Sequence, residues 1–152
     1  MSGDQSAGTA PADRVIWSLR RAFLAVEALK EARLKRLRLS NAQYGVLMNV
    51  FVAPGLTGAE LARRLGVSPQ NITTLVARAE ERGWVERRAH PLHHHVRELH
   101  LTEEGASLLK AAETEVAALE EDLRACLGES HSEQVRDALN KLASLKVDNQ
   151  PG

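Results

Sequence analysis

Residues 68–78 read Ser-Pro-Gln-Asn-Ile-Thr-Thr-Leu-Val-Ala-Arg, and these side chains suit the edges of base pairs. With Ile72 set at zero on a helix of 3.6 residues per turn, Leu75, Val76 and Ala79 fall within roughly 60° of it and pack inward. The opposite face holds Gln70, Thr74, Ala77 and Glu81, flanked by Asn71, Thr73 and Arg78. Gln and Asn can present a donor and an acceptor together to adenine. Thr meets a phosphate or the thymine methyl, and Arg fits guanine or phosphate. Ser68 before Pro69 places a capping oxygen ahead of a proline at the first helical position, where its missing N–H costs nothing. The contacts would therefore come from Ser68, Gln70, Asn71, Thr73, Thr74 and Arg78. A solvated polar face has the same composition, so the flanking elements decide.

A second constellation is His93-His94-His95, bracketed by Arg88 and Arg97. Imidazole is the side chain that changes charge near neutral pH. On an extended strand His93 and His95 would point to one side at chelating distance, but the spacing fixes no third ligand among His90 and His100. Three readings follow: a plain loop tip touching DNA or water, a pH-sensitive tip, or a metal site. Catalytic patterns are absent from the sequence: no phosphate-cradling glycine loop, no His-Glu-x-x-His, and no serine in a recognisable triad context. No enzyme activity and no cofactor are expected.

The elements that must position these residues are legible from periodicity and caps. Residues 1–12 are small and polar and read as a disordered arm. From Asp13, an expected N-cap, Ile16, Leu19, Phe23, Val26, Leu29, Leu34 and Leu37 form a helical stripe. Ser40–Gln43 and Thr57–Glu60 match capping boxes, each opening a helix. Pro54-Gly55 stops the first and Gly66 the second. The helix after Ser68 runs to Arg82, ahead of Gly83. Residues 84–88 and 96–101 suit two strands joined as a hairpin, with Val85, Leu99 and Leu101 inward. Thr102-Glu103-Glu104 opens a long helix whose apolar residues Leu109, Ala112, Val116, Leu119, Leu123 and Cys126 repeat with coiled-coil spacing. Cys126 is expected to be a small buried hydrophobe on that seam. Gly128 ends the helix, and Ser130–Glu133, another expected capping box, opens a last one with Val135, Leu139, Leu142 and Leu145.

The 152 residues suffice for one ordinary domain. Lys plus Arg and Asp plus Glu both count 20, yet the charge is uneven. Residues 1–56 carry 8 basic and 4 acidic groups, residues 57–101 carry 7 and 5, and residues 102–152 carry 5 and 11. Such asymmetry suits a chain of which one part faces a polyanion. The single cysteine cannot form an intrachain disulfide. The longest apolar run, Ala22 to Val26, is far below the roughly 18 residues of a membrane span, and no signal-peptide pattern opens the chain. A cytoplasmic, reducing setting with no membrane partner is expected.

Four stretches together resemble the MarR family of bacterial transcription regulators. They are Gly58-Ala59-Glu60-Leu61-Ala62, Val67 to Thr73, Arg82-Gly83-Trp84-Val85-Glu86-Arg87, and Leu101-Thr102-Glu103-Glu104-Gly105. The resemblance covers residues 13–146. It implies a mainly α fold with a small β-hairpin, a winged helix-turn-helix at 39–101. Residues 13–38 and 102–146 would be dimerisation helices and 147–152 a tail. It further implies a homodimer on a pseudo-palindromic operator in double-stranded DNA, usually as a repressor, released by a small aromatic or phenolic ligand. In the family, the first two helices line a crevice, so Trp17, Phe23, Tyr44, Met48 and Phe51 are the candidate ligand residues. Family oxidation sensors place a cysteine near the start of the first helix, where this chain has none. At the wing tip, the family Asp-x-Arg falls on His93-His94-His95, so His95 holds the arginine position. Neutral imidazole is a poorer partner for phosphate than guanidinium. The rival expectations are a metal- or pH-responsive regulator using the wing histidines, and a dimeric interaction module that has lost DNA binding.

Overall fold

The computed structural model describes residues 10–146. Contacts divide the chain into two compact units, one through Glu115 and one from Val116 onward. The sequence reading places a single domain at 13–146 and assigns the whole long helix after Thr102 to dimerisation. The part of that helix through Glu115 falls in the first unit.

The first unit is built from four helices, a hairpin and the start of a fifth helix: α1 (Val15–Leu34), α2 (Asn41–Val52), α3 (Gly58–Leu65), α4 (Pro69–Glu81), β1 (Val85–Ala89), β2 (Arg97–Leu101) and α5 (Glu103–Leu127). Pro11–Asp13 form a 3-10 turn, so the expected structureless arm does not extend through residues 11 and 12; residues 1–9 and the 147–152 tail lie outside the described residues. Because Asp13 is taken up in that turn, Arg14 flanks α1 instead, with no side-chain cap.

Local chemistry sets the other boundaries. Ser40, Thr57 and Ser68 each accept a hydrogen bond from the backbone N–H three residues on, at 3.1, 3.3 and 3.2 Å. Gly66 closes α3 with φ +64°, a left-handed conformation that costs glycine nothing. The reciprocal half of the first capping box is not made. Gln43 turns inward and donates from Nε2 to the Leu75 carbonyl on α4, because burial pulls it away from its own helix end.

Antiparallel β1 and β2 pair Val85 with Leu101 and Arg87 with Leu99. The loop before α3 adds a short third edge: Gly55 N–H donates to Leu99 O and Leu99 N–H to Leu56 O, both at 2.9 Å. Leu34, Val46, Leu47, Leu61, Ile72, Val76 and Leu99 form a core shared by α1, α2, α3, α4 and β2. Helix α5 closes onto the base of the hairpin. The Thr102 hydroxyl donates to Gly83 O at 2.5 Å and accepts from Gly105 N–H at 3.0 Å. Gly105 passes so close to Trp84 that a Cβ there would sit 2.0 Å from the Trp84 carbonyl oxygen.

The second unit contains the rest of α5 and α6 (Glu129–Ala143). Gly128, with φ +83°, precedes α6, which begins at Glu129; the expected Ser130 cap therefore lies inside the helix, its role taken by this earlier turn. Within the seam Leu109, Ala112 and Leu119 are buried, whereas Cys126 in the last turn of α5 is exposed, contrary to expectation. Period puts a residue on a stripe, but burial also needs a covering surface. Among the described residues no helix is long and apolar enough to cross a membrane.

Candidate nucleic-acid interface

Helix α3, the turn Gly66-Val67 and α4 make a helix-turn-helix, with the β1–β2 hairpin as a wing. Ile72, Val76 and Ala79 hold α4 down, which leaves Ser68, Gln70, Asn71, Thr73, Thr74 and Arg78 exposed on one continuous surface. The Thr73 and Thr74 hydroxyls donate back to the carbonyls of Pro69 and Gln70 at 2.8 and 3.3 Å. Their oxygens keep lone pairs free to accept, with the methyl groups beside them.

Strand alternation divides the wing arginines. Glu86, Arg88, Glu98 and His100 share one face, and Arg88 Nε donates to Glu86 Oε1 at 2.7 Å. Arg87 and Arg97 share the other. They reach into a groove of about 490 Å3 between α3, the start of α4 and the hairpin, beside Arg63 and Thr73. Arg87 also bonds Glu80 on α4. The sequence reading missed Arg63 and Arg87. The signal for Arg87 was present, since Val85 points inward and its i+2 neighbour must share that face.

The wing tip differs from expectation. Residues 90–96 form a turn around Pro91, so His93 and His95 do not lie along an extended strand. His90 Nδ1 accepts the N–H groups of Leu92 and His93, both at 3.1 Å, and Val96 N–H donates to His93 O at 2.8 Å. The His90 and His93 rings stack at 5.1 Å between centroids, and His93 and His95 meet edge-on at 6.2 Å. His93, His94 and His95 are all exposed. Among the described residues no group of three His, Cys, Asp or Glu side chains is arranged to hold a metal.

The expected ligand residues separate. Met48 and Phe51 on α2 line a cavity of about 450 Å3 with Ala106, Leu109, Lys110 and Glu113 of α5. Tyr44, one turn earlier, donates to Glu113 Oε1 at 2.5 Å, and Lys30 Nζ lies 5.7 Å from its ring centroid. Burial, then the bond to Glu113 and its negative charge, push the Tyr44 phenol well above its ordinary range. Trp17 and Phe23 do not line this cavity. They stand on α1 with fractional exposures of 46% and 64%, among Val15, Ile16, Leu24 and Leu29. Lys110 and Glu113 were missed because contacts between α2 and α5 span more than sixty residues of sequence.

Comparison with known proteins gives a consistent result. A profile described as MarR family matches residues 39–94, from the approach to α2 through the wing tip. The HTH-type transcriptional repressor Rv2887 of Mycobacterium tuberculosis is 33% identical over 113 residues, 74% of this chain and 81% of the relative. The transcriptional repressor CouR bound to a 23-mer DNA duplex has a TM-score of 0.82 at 27% identity, over 87% of this chain and 94% of that one. Rv2887 in complex with salicylic acid has a TM-score of 0.73 at 30% identity, over 90% of this chain and 98% of that one.

Proposed function

Because this chain belongs to the MarR family, we propose that it is a repressor of transcription that binds a pseudo-palindromic operator as a homodimer. The observation that carries the reading is the exposed surface of α4. Gln70, Asn71, Thr73 and Thr74 stand together in its N-terminal half, the part of a recognition helix that meets base edges. Arg78 flanks them, and Arg63 and Arg97 supply positive charge toward the wing. Phosphate contacts of this kind position the protein, while the α4 amides and hydroxyls specify sequence.

The homodimer is supported by apolar surface that one chain leaves uncovered. Ile16 is 70% exposed on α1, and Leu139 and Leu142 of α6 are 44% and 39% exposed. Exposed apolar stripes on helices mark association surfaces. The effector in this proposal is a small aromatic or phenolic acid in the cavity between α2 and α5. Met48, Phe51 and Leu109 offer the apolar wall and Lys110 the cation. Salicylic acid in the Rv2887 complex is an example of the ligand class.

Selection of duplexes from a random pool by the purified protein tests the reading. Recovery of an inverted repeat, with half-sites about one helical turn apart, is the expected result. Retention of all duplexes alike, abolished by moderate salt, would refute it.

The adjoining His90, His93 and His95 rings favour a second, compatible reading, a pH-responsive wing. A protonated imidazole attracts phosphate and a neutral one does not, so operator affinity should rise as pH falls. Replacing His93, His94 and His95 together by Ala should flatten the profile between about pH 6 and 8 at fixed salt. A flat profile in the parent protein would remove this reading and leave the first intact.

A further inference from the structure

A cleft of about 400 Å3 lies on the flank of α4 away from the wing, against the start of α2. Three guanidiniums, Arg38, Arg78 and Arg82, line it together with Ser40, Gln43 and the single carboxylate of Glu81. One acid against three bases leaves the cleft strongly positive.

The arginines are held there at a cost. Arg38 has φ +56°, the one left-handed conformation among the described non-glycine residues. An L-residue is strained in it, because its Cβ crowds the following carbonyl oxygen. Its carbonyl is held by Arg82 Nη1 at 3.1 Å, and the Arg82 guanidinium lies over the Trp84 ring, 5.0 Å from the centroid. Arg78 makes no ion pair among the described residues. The Asn41 N–H at the start of α2 is already given to Glu31 Oε2 at 2.8 Å, so the guanidiniums, not the helix end, are the anchor.

Gln43 is the second and independent observation. It is 8% exposed, it lines the cleft, and its Oε1 is buried with no hydrogen-bond partner. Leaving such a buried acceptor unpaired is destabilising. Its Nε2 has only the long 3.4 Å bond to Leu75 O, so the amide can turn toward an occupant with little loss.

We propose that this cleft binds a small oxyanion carrying its own hydrogen-bond donor, and that the occupant is hydrogen phosphate. The anionic oxygens engage Arg38, Arg78 and Arg82, and the P–OH donates to Gln43 Oε1. A DNA backbone phosphate is a diester and has no such proton to give. Sulfate at neutral pH matches the charge and also lacks it.

The test uses the full chain without DNA, so its outcome is separate from that of the repressor reading. Sodium phosphate and sodium sulfate are titrated at fixed pH and ionic strength while NMR follows the Gln43 side-chain amide and the arginine Nε–H signals. Saturable shifts at these groups, with phosphate bound about tenfold more tightly than sulfate, are expected, as one charged hydrogen bond would give. Gln43→Leu should bring phosphate down to the sulfate level. Arg38→Gly suits the left-handed backbone, so it should keep the fold while weakening phosphate about tenfold. Arg78→Ala should do the same without touching that turn. Equal, non-saturating responses to both anions would overturn the proposal, as would an unchanged affinity in Arg38→Gly and Arg78→Ala. A separate titration with duplex DNA distinguishes the source: shifts at these groups with DNA and none with phosphate would overturn the proposal, making the cleft a backbone contact.

Discussion

Replacing Gly105 by Ala should be among the most damaging single-methyl additions this chain can receive. The new Cβ would lie 2.0 Å from the Trp84 carbonyl oxygen and 2.8 Å from its carbon, where real contacts stay above 3.0 Å. Helix α5 and the hairpin base must therefore separate by about 1 Å. The obstacle is backbone, which no side-chain rotation relieves. Overpacking of this kind costs roughly 3 kcal/mol. The displaced carbonyl also accepts the Thr102 N–H at 3.1 Å, a bond whose loss adds about 1 kcal/mol. Alanine returns about 1 kcal/mol of helix propensity. The net loss is about 3 kcal/mol, or a fall of roughly 6–12 °C in Tm for a chain of this size. Calorimetry at matched protein concentration reads it directly. Gly58→Ala is the control: nothing lies within 4 Å of its Cβ position, and stability should stay within about 0.5 kcal/mol of the parent. A Gly105→Ala protein within 1 kcal/mol of the parent would refute the close approach of α5 to Trp84.

Three further outcomes are expected. Leu139→Glu on α6 should leave a folded chain but shift light scattering from a dimer toward the mass of one chain, because an unpaired carboxylate cannot enter an apolar interface; an unchanged dimer would move the interface elsewhere. The chain has one tyrosine, so ultraviolet phenolate absorbance reports Tyr44 alone. Its folded phenol is held above the unfolded value of about 10, so its contribution to stability is intact below that pH and is lost as pH rises above it. Phenolate appearing at the ordinary pH while the fold persists would contradict the burial of this phenol and its bond to Glu113. Tyr44→Phe should abolish this alkaline loss and cost about 1–2 kcal/mol at neutral pH, measured by urea unfolding.

The sequence was most informative where structure is local. Ser40, Thr57 and Ser68 each act over three residues, and Gly66 needs only its own φ, so helix starts and the α3–α4 turn were legible without any tertiary contact. The Gly105 requirement comes from Trp84, twenty-one residues away, and only the packed structure shows it. Gln43 illustrates the competition: a capping motif predicts a local bond, and the Leu75 carbonyl on another helix takes the side chain instead. Arg87 and Arg97 follow from strand alternation, but their meeting with Arg63 depends on how α3 packs on the hairpin. The ligand residues were drawn from two helices as one group. Tyr44 and Met48 face α5, while Trp17 and Phe23 remain on the exposed stripe of α1.

The central claim is that α4 reads bases while the wing-side arginines hold the backbone. The most direct test measures affinity of the parent, Gln70→Ala and Arg97→Ala for a selected operator and all its single-base variants, at two salt concentrations. Gln70→Ala should lose about 1–3 kcal/mol of discrimination at one or two positions and keep the parent's salt dependence. Arg97→Ala should weaken every sequence alike and reduce the salt slope by about one. Base preference altered by Arg97→Ala and untouched by Gln70→Ala would contradict the account.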